Sequence, residues 1–240
     1  MILDFDRRFL FLKSTKTAGT SIEIALSSLF SPNSIITPTV DENLRVTWGG
    51  HHPQNYSVNH QNINWDRKLR EYEVPPWGKL HFFNHMSIDL AISQIGLGAF
   101  QNLFSFGFTR NPIERALSSY TWIAACNRAY YEPLSLIEHR NNFRKMLRSN
   151  FDSTKKWLCS ETYGVQVTKV YKYEQMQFAV EDIHFSCDLD RLDKVQLPNA
   201  KVGFKDILGF SRENLIDEDS RILIEDICAW EYLNHYPVPS

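Results

Sequence analysis

FLFLKSTKTAGTSIEIALS, residues 9–27, carries the reading of the fold. Phe9 to Leu12 are four consecutive apolar residues, short enough and apolar enough for a strand buried on both faces. A polar loop follows at once. Beyond it Ile22, Ala25, Leu26 and Leu29 recur at helical spacing, with Thr20 or Ser21 available as N-cap and Glu23 in the first turn. The stretch therefore reads strand, loop, helix. A second unit of the same kind is FSFGFTRNPIERALSSY, residues 104–120, in which Phe104, Phe106 and Phe108 alternate with small residues as a strand. Asn111 suits the N-cap, Pro112 the first helical position, and Glu114 stands where it would close a capping box. Arg110 is thereby set at a strand-to-helix junction.

Between these units, residues 31–78 are rich in Asn, Pro, Gly, His and Trp with little periodicity, which predicts a long irregular insertion; the whole 31–100 region is expected to shape an acceptor pocket. Ser87 can cap a short helix bearing Ile88, Leu90 and Ile92. VQVTKVYKYE at 165–174 predicts a third strand, and Ile224, Ile227, Cys228, Trp230 and Leu233 a final helix whose start is favoured by Asp217, Glu218 and Asp219. Strands interleaved with helices predict one α/β domain over residues 1–240, built on a central parallel sheet.

With 240 residues, 43% of them hydrophobic and 22% charged, the chain is suited to one sizeable core. A net charge of −2 gives no global reason to expect nucleic acid or an anionic membrane as partner, so a phosphate site must be local. Charge is uneven all the same: residues 140–172 are basic and 213–231 acidic, either as two solvated faces or as a basic rim for an anionic acceptor. Cys126, Cys159, Cys187 and Cys228 form no CxxC pair, which points to reduced structural thiols. MILDFDRRFLFLK matches neither a signal peptide nor a membrane span, so a soluble, cytoplasmic protein is expected.

Helix N-termini attract anions because their first N–H groups lack partners and the helix dipole is positive there. Two strand-to-helix turns, each with a cation, suggest a ligand with two separated phosphates. The first turn does not fit the nucleotide loop GxxxxGK[ST]: Thr20 follows Gly19 where Lys is required, and Ser14 replaces the first Gly. An ATPase or kinase is disfavoured on that ground.

FLFLKSTKTAGTSIEIALS closely resembles the 5′-phosphosulfate loop of the family-2-type, carbohydrate-directed sulfotransferases, and FTRNPIERALSSY resembles their 3′-phosphate motif. NHMS at 84–87 is similar to the family's histidine-containing segment. YKYEQMQ at 171–177 is similar to a later one, with Lys172 or Tyr173 in place of the usual Arg. The resemblance implies a P-loop-like three-layer fold and 3′-phosphoadenosine-5′-phosphosulfate (PAPS) as co-substrate, leaving adenosine 3′,5′-bisphosphate as product. It implies that Lys16, Thr17, Ala18, Gly19, Thr20 and Ser21 cradle the 5′-phosphosulfate and that Arg110 and Ser118 hold the 3′-phosphate. Gly19 would let backbone N–H groups approach the anion, Thr20 and Ser21 add hydroxyl donors, and Arg110 can offer two donors at once. A hydroxyl acceptor on a glycan or small molecule is likewise implied, and no metal is required.

Lys16 and His85 are the expected catalytic pair, Lys16 stabilising the leaving phosphate and His85 removing the acceptor proton. His51 and His52 in WGGHHPQ are the alternative source of the base or could line the acceptor site. His81 and His85 have the spacing of a metal-binding pair, but no Glu stands between them and no third ligand is near in sequence. Trp48, Trp65, Trp77, Trp122 and Trp157 could stack on sugar rings or fill cores. Phe204 and Lys205 fall where the family often places late nucleotide contacts, on a poor local match. Two other classes stay open: a nucleotide-dependent phosphotransferase, and a noncatalytic glycan- or partner-binding module on the same fold.

Overall fold

A computed structural model describes residues 1–27, 29, 32–39, 42–59, 79–187 and 208–238. The chain divides into two compact units, Met1–Thr109 with Lys156–Ala200, and Arg110–Lys155 with Lys201–Ser240. Each has its own core.

The first unit is built on β1 (Ile2–Asp4), β2 (Phe9–Leu12), β3 (Ile35–Ile36), β6 (Phe104–Thr109) and β9 (Lys169–Lys172), in the order β3-β1-β2-β6-β9. β2, β6 and β9 run parallel, while β1 is antiparallel to both β2 and β3. The sheet is therefore mixed, not the parallel sheet expected from the interleaved pattern. The cause is local: residues 5–8 turn the chain back tightly, with Arg8 at φ 57°, so Ile2 pairs with Phe11. Ile-Leu-Asp is too short for its period to show as a strand, but half of a hairpin needs no more.

Phe9, Phe11, Phe106 and Phe108 share one sheet face. Phe11 stacks on Phe106 with ring centroids 5.4 Å apart and meets Phe108 edge-on. Ile22 and Leu26 of α1 (Gly19–Ser27) and Ala179 and Ile183 of α9 (Met176–Ser186) complete that core. On the opposite face Gly107 is a packing residue. A Cβ there would lie 2.2 Å from Leu158 Cδ2 and 2.9 Å from Leu12 O, so only glycine admits the one-turn helix Lys155–Leu158 (α8) against β6.

The 31–100 region is less irregular than its composition suggests. It contains β3, α2 (Glu42–Thr47), an antiparallel pair β4 (Ser57–Asn59) and β5 (Lys79–His81), α3 (Ile88–Ile95) and α4 (Leu97–Gln101). Residues 60–78, with Trp65 and Trp77, lie outside the described set. Ser87 caps α3 as expected, accepting from the Leu90 N–H, and Ile88, Ala91, Ile92 and Ile95 form its buried stripe while Leu90 is exposed. The 165–174 segment splits: β8 (Val165–Gln166) pairs with β7 (Cys159–Ser160), and β9 begins at Lys169. Between them Ser105 and Thr168 exchange bonds, Thr168 N–H donating to Ser105 Oγ at 3.0 Å and Ser105 N–H to Thr168 Oγ1 at 3.1 Å.

The second unit is helical: α5 (Pro112–Cys126), α6 (Arg128–Tyr131), α7 (Leu136–Asn150), α10 (Glu218–Ile227) and α11 (Ala229–Asn234). Leu117, Tyr120, Phe143, Leu147, Leu215 and Ile224 are central to its core. The final helix is broken at Cys228, and Leu233 points to solvent. Asp217 and Ser220 close a capping box at α10, which satisfies N–H groups that an acidic first turn alone would not. The basic and acidic blocks partly meet: Arg144 of α7 pairs with Asp217 and lies 3.7 Å from Asp219, and Arg140 donates to Asn214 O at 2.8 Å. Deeper in, Arg115 and Glu231 form an ion pair with both side chains fully buried; Glu231 also accepts from the Thr154 N–H at 2.6 Å and from Ser153 Oγ. Among the described residues no helix is long and apolar enough to cross a membrane.

Candidate active site

β2 ends at Leu12 and α1 begins at Gly19, leaving Lys13 to Ala18 to turn the chain. Lys16 has φ 59° and Ala18 φ 58°, with Thr17 between them in the ordinary negative range. Left-handed backbone at a non-glycine residue costs roughly 1–2 kcal/mol, so a loop that holds two such residues must be fixed by its surroundings. The braces are visible. Ser14 Oγ donates to Phe108 O at the end of the neighbouring strand, and the Ser14 and Thr17 hydroxyls lie 2.9 Å apart. Alternating backbone handedness turns successive N–H groups towards one side, the arrangement that makes a concave anion site.

The expected N-cap is corrected by this geometry. Ala18 supplies the first helical carbonyl, accepting from the Ile22 N–H at 3.2 Å, so Thr20 and Ser21 lie inside the helix instead of capping it. Ala18 offers no side-chain acceptor. The N–H groups of Gly19, Thr20 and Ser21 consequently keep their donors, and among the described residues neither the Thr20 nor the Ser21 hydroxyl bonds to another protein group. Thr17 differs: its hydroxyl is used inside the loop and is almost fully buried.

Under the loop is a charge cluster that the sequence reading missed. Glu23 is fully buried and accepts from Lys13 Nζ at 2.7 Å, with the Met1 amine at 2.9 Å and Arg45 Nη2 at 3.4 Å. Burial alone would raise its carboxyl pKa, but the Met1 amine, Lys13 and Arg45 outweigh burial and hold it at about 2. The signal was available: a carboxylate enclosed by Ile22, Ile24, Ala25 and Leu26 must find cations. The Lys13 stem reaches Glu23 by crossing Gly19, where a Cβ would stand 2.5 Å from Lys13 Cγ. Gly19 thus has a structural reason beside the anion-approach one.

His85 is brought to this loop. Its Nδ1 lies 2.9 Å from Lys13 O; since a carbonyl only accepts, Nδ1 carries the hydrogen and Nε2 keeps the basic lone pair. Burial, reinforced by the nearby Lys13 cation, lowers the imidazole pKa to about 4, so it is neutral at pH 7. The residue sits at φ 59° and is clamped from two sides. Trp157 Nε1–H donates to His85 O at 3.0 Å, and Ser160 Oγ donates to Asp89 in the first turn of α3. Trp157 therefore has a definite use, in holding a backbone turn. His81 stacks near Phe83 and is exposed, as are His51 and His52. Among the described residues no group of three His, Cys, Asp or Glu is placed to hold a metal.

Arg110 and Ser118 belong to the second unit. Asn111 Oδ1 caps α5 through the Ile113 and Glu114 N–H groups, but the reciprocal half of the predicted box does not form. The Glu114 carboxylate turns instead to Arg110 Nη2 at 3.2 Å and Arg212 Nη2 at 2.8 Å, because two guanidinium groups outcompete one amide. Ser118 is half-buried on α5. Phe204 and Lys205 lie outside the described residues. Comparison of the chain with protein-family models, with curated proteins and with solved structures gives no match.

Proposed function

We propose that this protein is a sulfotransferase that moves a sulfuryl group from PAPS to an acceptor hydroxyl on a carbohydrate or glycan. The observation that carries the reading is the Lys13–Ser21 loop. Its alternating backbone at Lys16 and Ala18 runs into the first N–H groups of α1, which have no partner among the described residues, and His85 is bonded to the same loop. These features suit a phosphosulfate: N–H donors, the Thr20 and Ser21 hydroxyls and a lysine all belong to one loop and the helix start that follows it. The P-loop-like three-layer arrangement belongs to the same proposal and is supported by the parallel run β2-β6-β9 with α1 directly after β2.

PAPS would supply a sulfuryl group attached to a phosphate that leaves with the bridging oxygen. The roles of the chain are then positional and electrostatic. The N–H groups of Gly19, Thr20 and Ser21 with their two hydroxyls would fix the phosphosulfate, and the Lys16 ammonium would neutralise charge growing on the bridging oxygen. His85 Nε2 would take the proton from the attacking hydroxyl, the Lys13 carbonyl holding the ring in the required tautomer. Arg110 and Ser118 enter as 3′-phosphate ligands through the motif resemblance.

Turnover of PAPS with a panel of glycan and small-molecule acceptors, together with calorimetric titration of adenosine 3′,5′-bisphosphate, tests this. Lys16→Ala should lower turnover by roughly 10²- to 10³-fold, the usual effect of removing one such donor. Wild-type stabilisation by ATP and Mg²⁺ but not by the bisphosphate would establish a phosphotransferase instead. Bisphosphate binding without turnover on any acceptor would establish a noncatalytic module.

A further inference from the structure

Arg212 was singled out by no motif, yet it converges with Arg110 on one atom, Glu114 Oε2. Both bonds end on that oxygen, at 3.2 and 2.8 Å, so the two Nη2 nitrogens lie close enough to be bridged by a single tetrahedral oxyanion. Both guanidinium groups are mostly buried, with side-chain exposures of 15% for Arg110 and 17% for Arg212, whereas Glu114 is 38% exposed. Two guanidinium groups are thus brought together at the start of the 15-residue helix α5 by a carboxylate that faces solvent more than they do. Arg212 is anchored at the start of the 3-10 turn Arg212–Leu215, whose Leu215 is buried in the core of the same unit, and its Nε donates to Glu213 at 3.1 Å.

We infer that Arg212 is a second guanidinium ligand for the phosphate monoester that Arg110 binds, with Glu114 holding the two arginines in register and giving way to the phosphate. The inference rests on the proposed function, where that monoester is the 3′-phosphate of the nucleotide. It adds the residue that would make the subsite selective for a dianion: two forked cations balance both negative charges of a phosphate monoester and reach more of its oxygens than one does. Glu114 repels the ligand while it orders the arginines, so its charge weakens binding even as it stabilises the fold.

The test compares the affinities of adenosine 3′,5′-bisphosphate and adenosine 5′-monophosphate for the wild type, Arg212→Lys, Arg212→Ala and Glu114→Gln, by calorimetry, with unfolding midpoints in parallel. Loss of one charged hydrogen-bonding partner is expected to weaken the bisphosphate roughly 10- to 100-fold in Arg212→Ala and to leave the monophosphate unchanged. Arg212→Lys should fall between wild type and Ala. Glu114→Gln should bind the bisphosphate more tightly while unfolding earlier, a pair of opposite signs that a merely structural ion pair does not produce. Bisphosphate binding that is unchanged in Arg212→Ala, or weakened in Glu114→Gln, overturns the inference and leaves the proposed function standing. A wild type that does not distinguish bisphosphate from monophosphate overturns both.

Discussion

Gly19→Ala separates two reasons for a glycine that the sequence alone cannot tell apart. The added Cβ would lie 2.5 Å from Lys13 Cγ and 3.1 to 3.2 Å from Cε and Cδ, so the collision involves the stem and not its far end. The stem cannot swing aside freely, because Lys13 is 2% exposed and its ammonium is held by Glu23 at 2.7 Å. Overpacking of this kind costs about 1–3 kcal/mol, and losing a buried ion pair about 3–5 kcal/mol if the lysine is displaced completely. Alanine recovers up to about 1 kcal/mol of helix propensity. A net loss of about 2–4 kcal/mol is expected, read as a lower urea midpoint with unchanged slope. The double-mutant cycle with Lys13→Ala isolates the cause. Without the stem, Gly19→Ala should cost almost nothing in stability, while bisphosphate binding remains impaired if backbone donors also need the open approach. A Gly19→Ala protein as stable as wild type, or a cost that persists in the Lys13→Ala background, refutes the packing argument.

His85 should govern part of the acid sensitivity. Its pKa is about 4 folded against an ordinary 6.5, so its contribution is complete above pH 6.5 and declines as pH falls from 6.5 to about 4. The slope cannot exceed about 1.4 kcal/mol per pH unit, and His85→Asn, which tolerates left-handed backbone and can donate to Lys13 O, should remove it in a pH series of urea midpoints. Glu23 acts in a different window: its stabilisation is complete above 4.5 and is lost as pH falls towards 2. If His85 is the base, kcat/KM should hold below pH 6.5, with its acidic limb nearer 4, and His85→Asn should be inactive at every pH. Trp157→Phe removes the 3.0 Å bond to His85 O but retains most of the buried ring. It should lower kcat roughly tenfold with the KM for PAPS unchanged and move the acidic limb towards 6.5, as a loosened and better hydrated imidazole would; an unmoved limb assigns Trp157 to packing alone.

What the sequence determined by itself was local. Phe9 to Leu12 and Phe104 to Phe108 announce strands because their burial patterns are written in consecutive or alternate residues. Asn111 and Ser87 announce helix starts because a cap acts within three residues of itself. The positions of Lys16 in a strand-to-helix loop and of Arg110 at a strand-to-helix junction were legible for the same reason. Tertiary structure decided whatever depends on partners distant along the chain. The antiparallel β1 needs the turn at 5–8, and the left-handed Ala18 moves the start of α1 away from Thr20. Glu23 became the centre of a charge cluster because Lys13 and Arg45 fold onto it, and Glu114 abandoned its capping box for Arg212, 98 residues away. His85 and Trp157, 72 residues apart, share a bond that no spacing could disclose. Side-chain charges and hydrogen bonds act over a few ångströms of space, and the distance along the chain does not enter their energies.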